Sequence, residues 1–147
     1  MTLLSFRTAV DADMPVLAEL NRQLQIDEEH RNRMELSELV PRMTRWCTSE
    51  GYEAVLFERD GKTAGYALFR RDPEHFYLKQ FFVCRDVRRQ GIGRAAIEWL
   101  AANVWQSAPA VYLDVLVNNQ RGVDFWRAVG FADYCVTMER KLADALA

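Results

Sequence analysis

The sequence predicts a mixed α/β fold, in which a mostly antiparallel sheet contains one parallel pair of strands. Two β-rich runs flank Asp60-Gly61, and Asp-Gly is a strong signal for a tight hairpin turn, so these two strands should pair antiparallel. The later part of the chain alternates strand, helix, strand and helix. Parallel neighbouring strands require such a crossover helix, so the second half should contain a βαβ unit.

The first half supplies a short strand, two helices and the hairpin. A strand is expected over residues 3–8, and Asp13 is placed to cap a first helix. A second helix should end at Gly51 and bury one face, formed by Leu36, Leu39, Met43 and Trp46. The hairpin strands are expected over residues 52–58 and 63–70.

The second half supplies three strands and two helices. In chain order, we expect a strand at 76–83, a helix at 91–105, a strand at 111–117, a helix at 120–128 and a last strand at 131–140. No repeat or Gly/Ser-rich linker interrupts this order. We therefore predict a single domain over residues 1–147.

Composition excludes several classes of function. The chain has 147 residues, of which half are hydrophobic, and 19 basic against 21 acidic residues. This balance argues against nucleic acid or a membrane as the main partner. The N-terminus lacks a targeting pattern and no apolar run is long enough to span a membrane, so a cytoplasmic protein is expected. Cys47, Cys84 and Cys135 are far apart, which predicts reduced, mostly packed thiols and no metal site.

The segment that indicates a function most clearly is the loop between the strand ending at Val83 and the following helix. This loop carries Gly91 and Gly93, and glycine lets a ligand approach the backbone at the positive end of a helix. Three basic side chains, Arg88, Arg89 and Arg94, add charge that suits phosphate oxygens. The pattern predicts a phosphate cradle, although a plain tight turn beside a solvated basic face also fits a lone Gly-x-Gly.

Two other phosphate-binding motifs fit less well. A dinucleotide-binding fold accepts Ala96 as its third small residue, but its motif follows the first strand, whereas this loop lies beyond the middle of the chain. A mononucleotide P-loop is excluded because Gly-Lys-Ser/Thr is missing.

Arg88-x-x-Gly91-x-Gly93 closely resembles the acetyl-CoA motif Arg/Gln-x-x-Gly-x-Gly/Ala of the GNAT superfamily of N-acetyltransferases. Asn119, Trp126 and Gly130-Phe131 fall where that family often carries an Asn, an aromatic residue and Gly-Phe. The order of elements matches over nearly the whole chain.

The resemblance implies a V-shaped sheet in which a parallel strand pair splays apart and admits the pantetheine arm of acetyl-CoA. Backbone groups of Phe81, Phe82 and Val83 would bond the arm as a missing strand would. Asn119, with Trp126 on the same side, would contact the arm near its thiol end, although a helix N-cap is an equally ordinary role for Asn119. The pyrophosphate would be held by the loop residues Arg88, Arg89, Gln90, Gly91, Ile92, Gly93 and Arg94.

Direct acetyl transfer needs a neutral amine, so a base must remove a proton. The resemblance implies a base at Asp114, which interrupts an otherwise apolar strand, and burial there would raise its pKa. A structural ion pair or amide contact is as good an explanation of this acid. The family's acid, a tyrosine, is replaced by Trp126, whose indole is only a donor, so Tyr134 or Tyr112 becomes the candidate acid.

Three further side chains are weaker candidates. His30 and His75 lie in charged segments and are expected to be solvated. Cys84 follows the cofactor strand, but it lacks a histidine near it in sequence, so we interpret it as a packing residue.

The function predicted is acetyl-CoA-dependent N-acetylation of a primary amine, on a small molecule or a protein, without a metal. The alternative is a catalytically weak acyl-CoA-binding sensor or regulatory domain. C-terminal strands often pair across a dimer in the family, so a homodimer is one option. The sequence does not predict the acceptor amine, because the segments that would bind it carry no motif.

Overall fold

The structure, a computed structural model, describes residues 3–29 and 33–143. The chain divides into two compact units, Met1–Val115 and Leu116–Ala147, and each is described by itself. That the whole chain is one domain stays a prediction. His30 lies outside the described residues.

The first unit contains a five-stranded sheet and three helices. The strands lie in the order β1-β2-β3-β4-β5, antiparallel except for the last pair, which is parallel. The predicted fold class is therefore confirmed. The strands are β1 Leu4–Thr8, β2 Tyr52–Arg59, β3 Lys62–Arg71, β4 Phe76–Val83 and β5 Val111–Tyr112, and the helices are α1 Met14–Asp27, α2 Leu36–Thr48 and α3 Ile92–Asn103.

The hairpin between β2 and β3 forms where local turn chemistry predicts it. Asp60 has φ 52° and Gly61 has φ 81°, the positive values that the favoured two-residue hairpin turns require. Asp13 precedes α1 as expected, but its carboxylate accepts hydrogen bonds from Arg7 (2.8 Å) and from the Val10 N–H (2.7 Å) rather than capping the helix. Its ion pair with Arg7 therefore replaces the expected cap.

The sheet is covered on both faces by apolar packing. On one face, α1 and α2 bury a continuous core against β2, β3 and β4, which includes Leu17, Met43, Leu56, Tyr66 and Phe82. On the other face, the Phe6 ring stacks on Trp99 of α3 with centroids 5.1 Å apart. Most of the apolar surface of both faces is therefore covered by helices.

The second unit contains one helix, α4 Gln120–Ala128, as predicted. Trp126 packs edge-on against Phe125 and Phe131, with ring centroids at 4.9 and 5.3 Å. Arg127 pairs with Asp133 at 2.6 Å. These contacts hold the turn that follows α4.

Two predicted strands are corrected. The strand expected at 111–117 is only Val111–Tyr112, and residues 131–140 form no regular element. Their apolar residues predicted strands, but a strand also needs a neighbour that supplies ladder hydrogen bonds. Tyr134, Val136 and Met138, which alternate along the last segment, are instead 72–88% exposed.

Candidate active site

The loop before α3 has the backbone shape of an anion cradle. Arg89 and Gly91 both have positive φ, 64° and 78°, and Gly91 is the N-cap of α3. The first backbone bond of the helix runs from the Ala95 N–H to the Gly91 carbonyl at 3.0 Å, so amides of the first turn point out of the helix. Left-handed residues in such a loop turn neighbouring amides toward a common point, which favours an anion.

Gly91 also leaves room for a ligand. A Cβ built on it would meet no atom within 4 Å, so the space beside the backbone is open. A non-glycine residue rarely adopts a positive φ because the Cβ clashes with the backbone, and Arg89 adopts one in spite of this cost. Such local strain is typical of functional loops.

The Arg88 side chain contacts three other residues of the protein. Its Nε donates to the Val83 carbonyl oxygen at 2.8 Å, its guanidinium pairs with Asp27, and its Cζ lies 5.3 Å from the centre of the Phe82 ring. These contacts join the end of β4 to the end of α1. A phosphate contact of the Arg88 side chain stays a prediction.

Asp27, the last residue of α1, also pairs with Arg85, so one carboxylate joins two arginines of the turn. Burial acts to raise its pKa, but the hydrogen bonds from Arg88 and Arg85 outweigh burial, and the net pKa is lowered. Asp27 is therefore charged at neutral pH. Beside it lies a cleft of about 240 Å³, lined by Gln23, Ile26, Asp27, Phe82 and Arg85.

The parallel pair of strands separates early. β4 and β5 are in register only at Phe76 with Val111 and at Tyr77 with Tyr112. On its other side, β4 pairs with β3 as far as Gly65 with Val83. Beyond Tyr77, β4 therefore has a strand neighbour on one side only, within the part of the chain that the structure describes. This is the splay that the resemblance implies.

A β-bulge lies just beyond the point of separation. Leu68 faces Gln80 and Phe69 faces Leu78, so Lys79 is an extra residue in β4. The bulge shifts the side-chain alternation by one residue. As a result, Tyr77, opposite Arg70, lies on the same face of the sheet as Phe82, opposite Tyr66.

The Asp114 carboxylate accepts a hydrogen bond from the Tyr77 hydroxyl at 2.9 Å. Asp114 follows β5 by two residues and is exposed, so the expectation of a buried strand position is wrong, because the strand ends at Tyr112. Burial and the bond to Asp114 together raise the pKa of Tyr77 to about 12. Tyr77 is thus a neutral hydrogen-bond donor at physiological pH.

Polar and aromatic side chains surround this pair. Arg70 donates to the Tyr52 hydroxyl (3.1 Å) and pairs with Asp72 (2.7 Å). Asp72 also lies 3.3 Å from His75, whose ring packs 4.4 Å from that of Tyr112, so His75 is engaged rather than merely solvated. The Lys79 ammonium lies over the rings of Trp46 and Tyr52, at 5.3 and 5.7 Å.

The remaining candidates have separate surroundings. Asn119 caps α4 by accepting a hydrogen bond from the Gly122 N–H at 3.1 Å. Tyr134 is 78% exposed. Cys84 donates a backbone bond to Ala64, and burial raises the pKa of its thiol, which disfavours the reactive thiolate. All three thiols are free, with Cys47 and Cys84 partly buried and Cys135 exposed.

The described residues, 3–29 and 33–143, lack two kinds of feature. No helix there is both long and apolar enough to cross a membrane. No group of three or more His, Cys, Asp or Glu side chains in these ranges lies together as metal ligands would.

Comparison with protein families decides the relationship. A model described as the acetyltransferase (GNAT) family matches residues 18–131, most of the chain, including the loop before α3 and the segment from Asn119 to Phe131. The chain belongs to this family. The resemblance seen in Arg88-x-x-Gly91-x-Gly93 is thereby confirmed.

One curated relative is the peptidyl-lysine N-acetyltransferase YiaC of Escherichia coli strain K12. It is 33% identical over 76 residues, which are 52% of this chain and 47% of YiaC. The match thus spans about half of each protein.

Two solved structures share the fold. The aminoglycoside N-acetyltransferase AAC(6')-Iy in complex with CoA has a TM-score of 0.76 at 15% identity, covering 97% of both chains. A predicted acetyltransferase from Clostridium acetobutylicum, solved with acetyl-CoA, has a TM-score of 0.74 at 16% identity, covering 95% of this chain and 97% of that one. These GNAT neighbours bind CoA or acetyl-CoA.

The sequence does not predict that Tyr77 contacts Asp114, that Asp27 pairs with Arg88, or that a bulge lies at Lys79. Tyr77 stands among aromatic residues that look like core, and its link to Asp114 spans 37 positions. Asp27 belongs to an acidic run that usually marks a solvated helix end. No local signal predicts these partners.

Proposed function

We propose that this GNAT protein transfers an acetyl group from acetyl-CoA to a primary amine of a protein or small molecule by direct attack. The observation that carries the proposal is the stretch of β4 beyond Tyr77, which among the described residues has a neighbouring strand on one side only. It begins where β4 and β5 part at Tyr77 and ends beside the cradle before α3. An elongated ligand with an anionic end fits such an edge.

The residues present suit acetyl-CoA. Backbone amides from Arg88 to Arg94 would hold the pyrophosphate, helped by the open space at Gly91. Backbone groups of Phe81, Phe82 and Val83 would bond the amides of the pantetheine arm by strand addition. Asn119 and Trp126 are proposed as further contacts to the arm. When bound, acetyl-CoA supplies an activated acyl group.

Asp114 is the proposed base. An ammonium has no lone pair for attack, so a carboxylate, directly or through a water, must take its proton. The exposure of Asp114 leaves it accessible to a substrate. Its carboxylate also accepts a hydrogen bond from Tyr77 at one oxygen, Oδ2, which fixes its orientation.

A protein lysine is the first acceptor to test, because the relative YiaC is named for that substrate class. Small amines remain in the proposal. The test mixes protein, acetyl-CoA and a panel of lysine peptides and small amines, and follows amine-dependent release of free thiol. A calorimetric titration with CoA accompanies it.

The two functions give different results in this test. Thiol release that depends on one acceptor class supports the transferase. Tight binding of acetyl-CoA without amine-dependent release across the panel contradicts it and favours the sensor or regulatory role. Absence of CoA binding contradicts both.

A further inference from the structure

The family's usual acid position holds Trp126, whose indole cannot supply a proton usefully, so protonation of the leaving thiolate needs another group. The Tyr77 phenol is half-buried and hydrogen-bonded to the proposed base. This hydrogen bond places the Tyr77 phenol directly beside the proposed base.

The position of Tyr77 along β4 matches the length of the cofactor's arm. Between pyrophosphate and sulfur, the arm has about as many bonds as four peptide residues, or roughly 14 Å when extended. Four residue steps back from Val83 reach Lys79, at about 3.3 Å per residue. An arm laid along this stretch of β4 from the cradle would thus end at the bulge, two residues from Tyr77.

The bulge at Lys79 also determines the face of the sheet on which the Tyr77 side chain lies. Without the extra residue, regular alternation would place Tyr77 and Phe82 on opposite faces of the sheet. With it, Tyr77 shares a face with Phe82, whose ring lines the cleft next to Asp27. The face on which Tyr77 lies and the length of the arm are both compatible with a thioester near the Tyr77 phenol.

We propose that Tyr77 is the catalytic acid that protonates the departing CoA thiolate, in partnership with Asp114 as the base. This inference rests on the proposed function. It assigns the acid to a β4 side chain, in place of Tyr134.

The protons balance between the pair and solvent. The ammonium first loses one proton through Asp114 to solvent, which leaves a neutral amine and an ionised Asp114. As the amine nitrogen then bonds to the acetyl carbon and the carbon–sulfur bond breaks, Asp114 takes a second proton from nitrogen and the Tyr77 phenol gives its proton to sulfur. The Asp114 proton then crosses the 2.9 Å hydrogen bond to the Tyr77 oxygen. The products are the acetylated amine and CoA thiol, and both side chains return to their initial states.

The charges around Tyr77 suit this order of events. Burial raises its pKa most, then the hydrogen bond and charge of Asp114, with a small contribution from Tyr52, while Arg70 acts to lower it. The phenol is thus protonated before reaction. Once Asp114 is neutralised by the amine proton, its two contributions disappear, and Tyr77 becomes more acidic when sulfur needs a proton.

The decisive experiment varies the leaving group. Tyr77→Phe is compared with the parent using acetyl-CoA and using S-phenyl thioacetate, whose acidic thiol leaves without protonation. The expected result is a loss of about 10²-fold in turnover with acetyl-CoA and little difference with the aryl thioester. Tyr66→Phe, which removes another sheet phenol, bonded to Gln80, should show the same ratio with both thioesters.

A binding measurement gives a readout without turnover. Tyr77→Phe should weaken binding of CoA severalfold at a pH where the thiol is ionised, and leave binding of desulfo-CoA unchanged. Equal losses with both acetyl donors, or a leaving-group effect in Tyr134→Phe instead, would overturn the assignment. A parent protein with no amine-dependent activity at all would count against the proposed function, while the CoA comparison would still test Tyr77.

Discussion

The Arg88 guanidinium donates through Nε to the Val83 carbonyl oxygen, 2.8 Å away at the end of β4. With its ion pair to Asp27, this bond makes Arg88 a clamp between the end of β4 and the end of α1. The first residue of the acetyl-CoA motif thus acts on the shape of the loop, and the amides that follow it are the proposed contacts to the pyrophosphate.

The first prediction concerns the carboxylate of that clamp. Asp27→Asn should lower the free energy of unfolding by about 1–2 kcal/mol at pH 7, because charge-assisted hydrogen bonds from two arginines are weakened. Urea denaturation measures it. Asp86→Asn, at an exposed position in the same turn, should change stability by less than about 0.5 kcal/mol.

The ion pairs of Asp27 with Arg85 and Arg88 also predict how the free energy of unfolding depends on pH. The pKa of Asp27 is lowered in the folded protein, so its contribution is complete above the unfolded value of about 3.8 and is lost as pH falls through the lower folded value. The stability difference between parent and Asp27→Asn should therefore shrink in strong acid. A difference that stays constant below pH 4 would contradict the ion pair.

The second prediction uses two glycines of equal backbone strain. Gly91 and Gly61 have φ of 78° and 81°, and a Cβ on either meets no atom within 4 Å, so Gly91→Ala and Gly61→Ala should cost a similar 1–2 kcal/mol, roughly, in stability. Only Gly91→Ala should weaken CoA binding in calorimetric titration, by about tenfold or more. Equal CoA affinity in the two variants would show that the cradle lies elsewhere.

The third prediction concerns Asp114 as the base. Asp114→Asn keeps the size of the side chain but removes its basicity, so CoA affinity should hold while turnover falls by about 10²-fold or more. The acidic limb of the rate profile should disappear with it. Parental turnover and an unchanged limb would make Asp114 structural.

The fourth prediction tests the Tyr77–Asp114 pair without substrate. Asp114 helps to raise the pKa of Tyr77 to about 12, so Asp114→Asn should lower that pKa, while burial keeps it above 10. Carbon NMR of labelled tyrosine over an alkaline titration measures it, with Tyr77→Phe identifying the signal. An identical titration in parent and variant would mean that the hydrogen bond does not persist in solution.

Sequence predicts well the features that depend on neighbouring residues. The hairpin at Asp60-Gly61 and the loop at Gly91 follow from backbone preferences of single residues, and α4 was predicted with its observed bounds. The length of β5 could not be predicted in this way, because a strand ends where its ladder ends. The apolar run around Asp114 suggested burial, but the ladder stops at Tyr112 and leaves Asp114 exposed.

The pairing of Tyr77 with Asp114 depends on contacts between distant segments. It requires the parallel register of Tyr77 with Tyr112 and the face chosen by the bulge at Lys79. Neither leaves a local trace in the sequence. The shape of the loop before α3 is therefore easier to predict than the side chain that contacts Asp114.

Because Lys79 is an extra residue in β4, the face on which each neighbouring side chain lies depends on the exact number of residues in the strand. Deleting one residue there would restore regular alternation, and residues 76–78 would exchange faces relative to residues 80–83. Tyr77 would turn away from Asp114, while the buried Phe76 and Leu78 would turn out of the core. Single substitutions in this strand leave the alternation of side chains intact. A deletion of one residue would disrupt both the core packing and the contact between Tyr77 and Asp114.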